Sequence, residues 1–234
     1  MKTFCFIFAR GGSKGIIKKN IRTLFGHPLI SYSLILAKEI SEIDQIFVST
    51  DCDEIAGIAS KYGVNIIKRP ANLAQDNSPE WLAWVHAVEY AFKKYGSFTK
   101  FLSLPATAPL RSKEDVRNCL EKFKSKNDVI LTMTDANRNP WFNMVKKNKK
   151  GFIELAVKSK EKLFRRQDAP LVYDLTTVAY VLDPNFILEN NSIWDGNVHG
   201  VFIPKERALD IDTEYDLKLA EYLIKRNNPK INFK

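Results

Sequence analysis

Residues 9–20 read ARGGSKGIIKKN and follow a short apolar run. Glycine lets backbone approach a ligand closely and take positive φ, so Gly11, Gly12 and Gly15 are expected to do both. Successive main-chain N–H groups in such a loop form an anion-binding concavity. Arg10, Lys14, Lys18 and Lys19 add full positive charge, and Ser13 and Asn20 add side-chain hydrogen bonds. These are the parts of a polyphosphate cradle. The spacing is neither GxxxxGK[ST] nor GxGxxG, so it is neither a P-loop nor a dinucleotide fingerprint. Taken alone, a glycine turn among solvated lysines would read the same way.

A second group lies near the far end of the chain, in LDIDTEYD. Side chains two apart on an extended segment face the same way, so Asp210 and Asp212 project together while Ile211 points inward. Two carboxylates on one side suit Mg²⁺, which keeps waters and shares its other positions with phosphates. Asp212 or Thr213 also suits the N-cap of the helix that follows, and a Thr213 cap leaves both aspartates available. FRRQDAP, residues 164–170, offers two adjacent arginines able to grip a carboxylate or phosphate in bidentate fashion. An ordinary surface charge cluster would have the same composition.

The elements that must position these groups alternate. Apolar runs at 3–9, 45–50, 64–69 and 100–106 read as strands, and amphipathic stretches at 28–40, 53–63, 79–96 and 112–126 read as helices. Ser112 with Asp115 forms a capping pattern, Gly63 suits a helix end, and Asp53 suits an N-cap. Alternation with short connections implies an α/β fold: a mainly parallel sheet with helices on both faces. Ligands bind such sheets at the carboxyl ends of the strands. The cradle follows the first strand. Ser49, Thr50 and Asp51 end the second, Arg69 follows the third, and LPATAPLR ends the fourth. Residues 127–159 hold two strand-like runs around KKNKKG and read as an antiparallel insertion; more strands and a closing helix follow. The expectation is one domain over 1–234 with a protruding β-rich arm at about 135–172.

Composition bounds the possibilities. The chain has 234 residues, 45% of them hydrophobic, and a net charge of +9. No apolar run approaches the ~20 residues of a membrane helix, and MKTFCFIFA is too short for a signal peptide. A cytoplasmic protein without membrane association is expected. Cys5, Cys52 and Cys119 form no CxxC pair, and His27, His86 and His199 no metal spacing. No RNP-type motif or helix-turn-helix pattern marks a nucleic-acid binder, and no GxSxG elbow is present. The positive charge suits anionic small substrates.

Taken together, ARGGSKGIIKKN, VSTDCDEIAGIASKYG, RPANLAQD, APLR, RRQDAP and LDIDTEYDLKLAE resemble the acylneuraminate cytidylyltransferases, in that family's order and over essentially the whole chain. The likeness is nearest to bacterial members that activate sialic- or legionaminic-acid-like nonulosonates. The resemblance implies a Rossmann-like nucleotidyltransferase sheet and a homodimer whose arm reaches the partner's sugar site. It implies transfer of CMP from CTP to the anomeric hydroxyl of a nine-carbon 2-keto sugar acid, with release of pyrophosphate. By motif match, Arg10, Ser13, Lys14, Lys19 and Asn20 hold the triphosphate, with Gly11 and Gly12 in the same loop, and Arg69 holds the nucleotide. Asp210 and Asp212 hold Mg²⁺; Arg10, Lys19 and Asp212 carry the catalytic charge. Arg166 and Gln167, with Thr176 and Thr177, belong to the sugar site. Two departures bear on the acceptor: Pro105 stands where many relatives carry Gln, and Thr176–Thr177 replaces an NG- or NA-type segment. A CMP-Kdo synthetase on an eight-carbon acid and a non-catalytic nucleotide-binding module are the alternatives. Kdo enzymes usually carry an acidic GDEP where LPATAPLR stands here.

Overall fold

A computed structural model describes residues 2–13, 15–159 and 162–227. Lys14, expected in the cradle, and residues 160 and 161 of the arm lie outside the described residues. In chain order the elements are β1 Thr3–Phe8, β2 Thr23–Leu24, β3 His27–Pro28, α1 Leu29–Lys38, β4 Gln45–Thr50, α2 Asp53–Ser60, β5 Asn65–Lys68, α3 Glu80–Tyr95, β6 Lys100–Ser103 and α4 Lys113–Lys122. They continue with β7 Asp128–Asp135, β8 Val145–Lys147, β9 Ile153–Leu155, β10 Tyr173–Leu182, α5 Pro184–Glu189, β11 Asn197–Phe202 and α6 Glu214–Asn227. Among the described residues no helix is long and apolar enough to cross a membrane.

Seven strands form one sheet in the order β11-β7-β10-β6-β1-β4-β5. β1 runs parallel to β4 and β6, β4 parallel to β5, and β7 parallel to β11. Only β10 runs against its neighbours β6 and β7. The reversal follows from the insertion. The chain leaves β7 at its carboxyl end, builds the arm there, and re-enters the sheet from the same end as β10. Strands buried on both faces read as continuous apolar runs, and β1 does. One face of the sheet packs Ile7, Val48, Leu102 and Val181 against Leu34, Ile55 and Val116 of α1, α2 and α4. The other stacks Phe6 on Phe47 and Phe101, with ring centroids 5.0 and 4.8 Å apart, beneath Trp84 of α3.

Differences from the sequence reading lie mostly at element ends. β6 stops at Ser103, so Leu104–Ala106 belong to the loop that faces the crevice. α4 stops at Lys122, short of the expected 126. Asp53 is the first helical residue of α2; Cys52 occupies the cap position, without a side-chain cap bond. Of the two runs in 127–159, the first is a strand of the main sheet and only 145–155 forms a separate antiparallel hairpin.

The expected Ser112 cap forms. Asp115 N–H donates to Ser112 Oγ at 3.2 Å, and Ser112 N–H donates to Asp115 Oδ2 at 2.8 Å. The same carboxylate, 2% exposed, receives Nε and Nη2 of Arg207, both at 2.8 Å. Burial opposes ionisation of Asp115, but Arg207 and the Ser112 donors outweigh it and hold the carboxyl below the usual aspartate range. A depressed folded pKa gives stability that is present above the unfolded value of about 3.9 and lost as pH falls through the folded one. Asp115→Asn should therefore flatten the acid limb of stability against pH, measured by urea unfolding. An unchanged acid slope would contradict the assignment.

Candidate active site

The loop after β1 is fixed from below. Ala9 N–H bonds Ser49 O at 3.0 Å, and Gly11 N–H bonds the Asp51 carboxylate at 2.9 Å. Asn20, only 8% exposed, donates its side-chain amide to Arg10 O at 2.9 Å and closes the loop on itself. Lys18 takes φ +54°, a left-handed conformation unusual for a residue with a side chain. Just beyond it, on the 3₁₀ turn Lys19–Ile21, Lys19 lines the crevice.

None of Gly11, Gly12 or Gly15 adopts positive φ, contrary to the sequence expectation. What the loop requires is closeness. A Cβ on Gly15 would lie 2.3 Å from the Asp212 carbonyl oxygen, and one on Gly11 would lie 3.0 Å from Cys52 Cβ. Among the described residues, a Cβ on Gly12 would meet nothing within 4 Å. The Gly11 amide, expected in the anion concavity, is taken up by Asp51 instead. Gly12 is exposed and Ser13 half-buried in the same loop.

Asp210 and Asp212 reach this loop from the other end of the chain. Ile211 is fully buried and donates its N–H to Thr107 O at 2.9 Å. The two aspartates flank it on an extended stretch before α6. The α6 cap is Thr213: its Oγ1 accepts from Asp216 N–H at 3.3 Å, and Asp216 Oδ2 accepts from Thr213 N–H at 2.8 Å. Lys19 Nζ lies 2.7 Å from Asp212 Oδ1. Asp210 Oδ1 is buried and completes no hydrogen bond. Burial raises the Asp210 carboxyl above its ordinary range and the charge of Asp212 adds to this, while the nearby Thr107 and Thr177 hydroxyls and Lys19 temper the rise. An orphaned buried carboxylate oxygen beside a second carboxylate fits a divalent cation. Among the described residues no group of three or more His, Cys, Asp or Glu gathers at metal-holding distance. A hard, oxygen-seeking ion that completes its shell with water and phosphate is the kind that such a pair suits.

A crevice of about 340 Å³ opens beside these parts, at the carboxyl ends of β1, β5 and β6; Lys19 lines it, whereas Gly11, Gly12, Ser13, Asp210 and Asp212 are not among its lining residues. Arg10, Lys19, Asn20 and Arg69 line its cationic side, and Pro105, Ala106, Thr107 and Thr177 line another. Arg10 is paired with Asp76 at 2.8 Å. Arg69, 7% exposed, donates Nη2 to Ser49 O at 2.7 Å and Nε to Ser49 Oγ at 3.1 Å, and lies 5.6 Å from the Phe8 ring centre. Burial lowers its pKa, with partial compensation from Asp51 and Glu80.

The expected sugar residues do not gather there. Thr177 lines the crevice, but Thr176 is 7% exposed and donates its hydroxyl to Thr132 Oγ1 at 2.7 Å. Adjacent side chains of a strand point to opposite faces, so the two neighbouring threonines serve different surroundings. Arg166 is exposed, donates Nη2 to Ala136 O at 2.7 Å and does not line the crevice; nor does exposed Gln167. Conversely, Glu80 and Tyr180 line the crevice without having been singled out. Glu80 opens the first turn of α3 and accepts from Trp84 Nε1 at 3.3 Å. Its side chain reaches solvent, yet desolvation by the surrounding protein raises its carboxyl above the ordinary range. Burial, with the charges of Glu80 and Asp210, pushes the Tyr180 hydroxyl up to about 12. In the sequence Glu80 is marked only by its place at the start of the 79–96 helix.

The model of the family described as Cytidylyltransferase matches residues 4–227. A post-translational flagellin modification protein B of Campylobacter coli is 40% identical over 232 residues, spanning 96% of this chain and 95% of the relative. A CMP-N,N'-diacetyllegionaminic acid synthase of Campylobacter jejuni is 40% identical over 230 residues, again spanning 96% and 95%. The solved structure of a CMP:2-keto-3-deoxy-manno-octonic acid synthetase complexed with CTP superposes with a TM-score of 0.73, covering 97% of this chain and 100% of that one. At 15% identity this last likeness shows the fold alone.

The glycine contacts separate two variants. Gly15→Ala forces backbone apart and should cost about 1–3 kcal/mol in urea unfolding. Gly12→Ala should stay within about 0.5 kcal/mol of the parent. Equal tolerance at the two positions would show that the loop does not press on the Asp212 segment.

Proposed function

The chain belongs to the cytidylyltransferase family, and on that premise we propose that it transfers CMP from CTP to the anomeric hydroxyl of a nine-carbon 2-keto sugar acid of the legionaminic type. One observation carries the reading most: Lys19, which follows the glycine loop and lines the crevice, pairs with Asp212 of the acid pair, nearly two hundred residues away. The relative named as a CMP-N,N'-diacetyllegionaminic acid synthase supports the sugar class.

In the transfer, the sugar's anomeric oxygen forms a bond to the α-phosphorus, the bond from that phosphorus to the bridging oxygen of the departing pyrophosphate breaks, and the anomeric proton is released. Phosphoryl-type transfers ask a protein mainly for positioning and charge. Arg10, Lys19 and the amides of the loop meet the triphosphate. To do so, Lys19 exchanges Asp212 for phosphate and Arg10 exchanges Asp76. Arg69, held rigid by Ser49, faces the nucleotide. Magnesium, which Asp210 and Asp212 would hold, supplies Lewis-acid stabilisation of the phosphate oxygens. Thr177 and Tyr180 stand on the side of the crevice left for the sugar, with Glu80 at its rim.

A homodimer fits the arm. Val145, Phe152, Ile153, Phe164 and Leu171 are 55–77% exposed on or beside the β8–β9 hairpin, more apolar surface than a solvated hairpin ordinarily shows. In the proposed dimer this surface packs on the second subunit and brings Arg166 and Gln167 toward the partner's sugar site.

Pyrophosphate release should be measured with CTP, Mg²⁺ and a panel of N,N'-diacetyllegionaminic, N-acetylneuraminic, pseudaminic and Kdo acids. The expected result is the highest kcat/KM with the legionaminic acid. Release with Kdo alone would overturn the sugar class, and CTP binding without any release would mark a non-catalytic module. Asp212→Asn and Lys19→Ala should each lower kcat by about 10²–10³-fold with the circular dichroism spectrum unchanged. Near-normal turnover in either would refute its place in the reaction.

A further inference from the structure

The acid pair sits on a segment that leaves the sheet at one edge and returns across it. Ile203 N–H still bonds Met133 O at 2.7 Å as β11 ends. A turn follows, with Arg207 and Ala208 N–H both on Pro204 O at 2.9 and 3.1 Å. Arg207 then reaches the buried Asp115 with two hydrogen bonds of 2.8 Å. Four residues later Ile211 N–H bonds Thr107 O at 2.9 Å.

The opposing loop is anchored equally. Pro105 O accepts from Ser33 Oγ at 3.1 Å and also from Arg111 Nη2, and Ala108 O accepts from Arg111 Nε at 2.8 Å. Arg111 is 5% exposed. From Thr107 this loop runs to Ser112 and into the first turn of α4, where Asp115 lies. The Arg207–Asp115 ion pair and the Ile211–Thr107 hydrogen bond therefore close a ring. Its two sides are residues 107–115 and 207–211, and Asp210 lies inside it, one residue from the second closure. Without the ion pair, the 207–211 side keeps at that end the turn on Pro204 and the packing of Ala208 against Ala108, Val178 and Ile203, neither of which ties it to the first turn of α4.

We propose that Arg207 and Asp115 are positioning residues for the acid pair: their bidentate ion pair fixes the backbone that presents Asp210 and Asp212, and so sets the affinity of that pair for a divalent cation. The inference rests on the acid pair serving the reaction proposed above. Its geometric half does not depend on turnover. Neither residue lines the crevice, so both act through the backbone between them and the aspartates.

Arg207 is half-exposed and is the safer side to change, since Asp115 also caps α4. Arg207→Gln and Arg207→Lys should be compared with the parent by hydrogen exchange of the metal-free protein and by Mg²⁺ titration of turnover at saturating CTP. In Arg207→Gln, exchange at Ile211 should accelerate about tenfold while β1 and β4 stay protected, the signature of local opening. The Mg²⁺ concentration for half-activation should rise about 10-fold or more, as for loss of an outer partner of a metal ligand. Turnover at saturating Mg²⁺ should stay within about threefold of the parent on the same principle. Arg207→Lys keeps the charge but not the two-pronged geometry, and should fall between. Unchanged exchange at Ile211 would overturn the positioning role, as would acceleration spread evenly over the sheet strands. An unmoved Mg²⁺ requirement in Arg207→Gln would overturn the link to the acid pair. A parent protein with no turnover would sink the proposed reaction instead, leaving the exchange result to decide the ring.

Discussion

The structure depends on two chain segments of opposite charge meeting with almost no space between them. One is the cationic glycine loop after β1; the other is the acidic stretch before α6. Gly15 presses so closely on the Asp212 carbonyl that a methyl group would not fit, and Lys19 pairs with the Asp212 carboxylate. Each segment alone would be a poor site. The loop would repel further cations, and the aspartates would repel each other, a repulsion that adds to the rise burial gives the Asp210 carboxyl. Together they neutralise one another while leaving groups that an anion and a cation can claim jointly.

The sheet order exists to make that meeting possible. β1 is near the centre, so its loop opens among the carboxyl ends of β4, β5 and β6. β11 is at the edge, and its following segment must cross β7 and β10 to arrive. That crossing is long enough to need pins, which Ile203, Arg207 and Ile211 supply. The reversed strand β10 serves the same plan. It lets the arm be hung at the carboxyl end of the sheet, where its exposed apolar residues would meet the second subunit of the proposed dimer.

Much of this was legible from residue order. The apolar runs of β1 and β4, the Ser112 cap and the paired aspartates around Ile211 all follow from local chemistry that acts over a few residues. What was not legible depends on partners far apart in sequence. Gly11 was expected to offer its amide to an anion, yet Asp51 takes it. Thr176 and Thr177 look alike in sequence, but strand alternation turns one to Thr132 and the other to the crevice, and which faces which depends on the sheet around them. Glu80 and Tyr180 sit in a helix turn and a strand with no local mark of a site. Arg207 reads as one more surface charge until its partner ninety-two residues away is known. Glycine's usual habit suggests positive φ for the three glycines of the loop; at Gly11 and Gly15 the demand is instead lack of a side chain, and among the described residues of the loop the left-handed one is Lys18.

The most direct measurement is a crystal structure with CTP and magnesium bound. The triphosphate is expected to lie along residues 10–20, with Lys19 Nζ released from Asp212 onto a phosphate oxygen and the metal held between that triphosphate and the carboxylates of Asp210 and Asp212. A nucleotide bound elsewhere, or bound with the Lys19–Asp212 pair intact and the aspartates turned from the metal, would contradict the account at its centre.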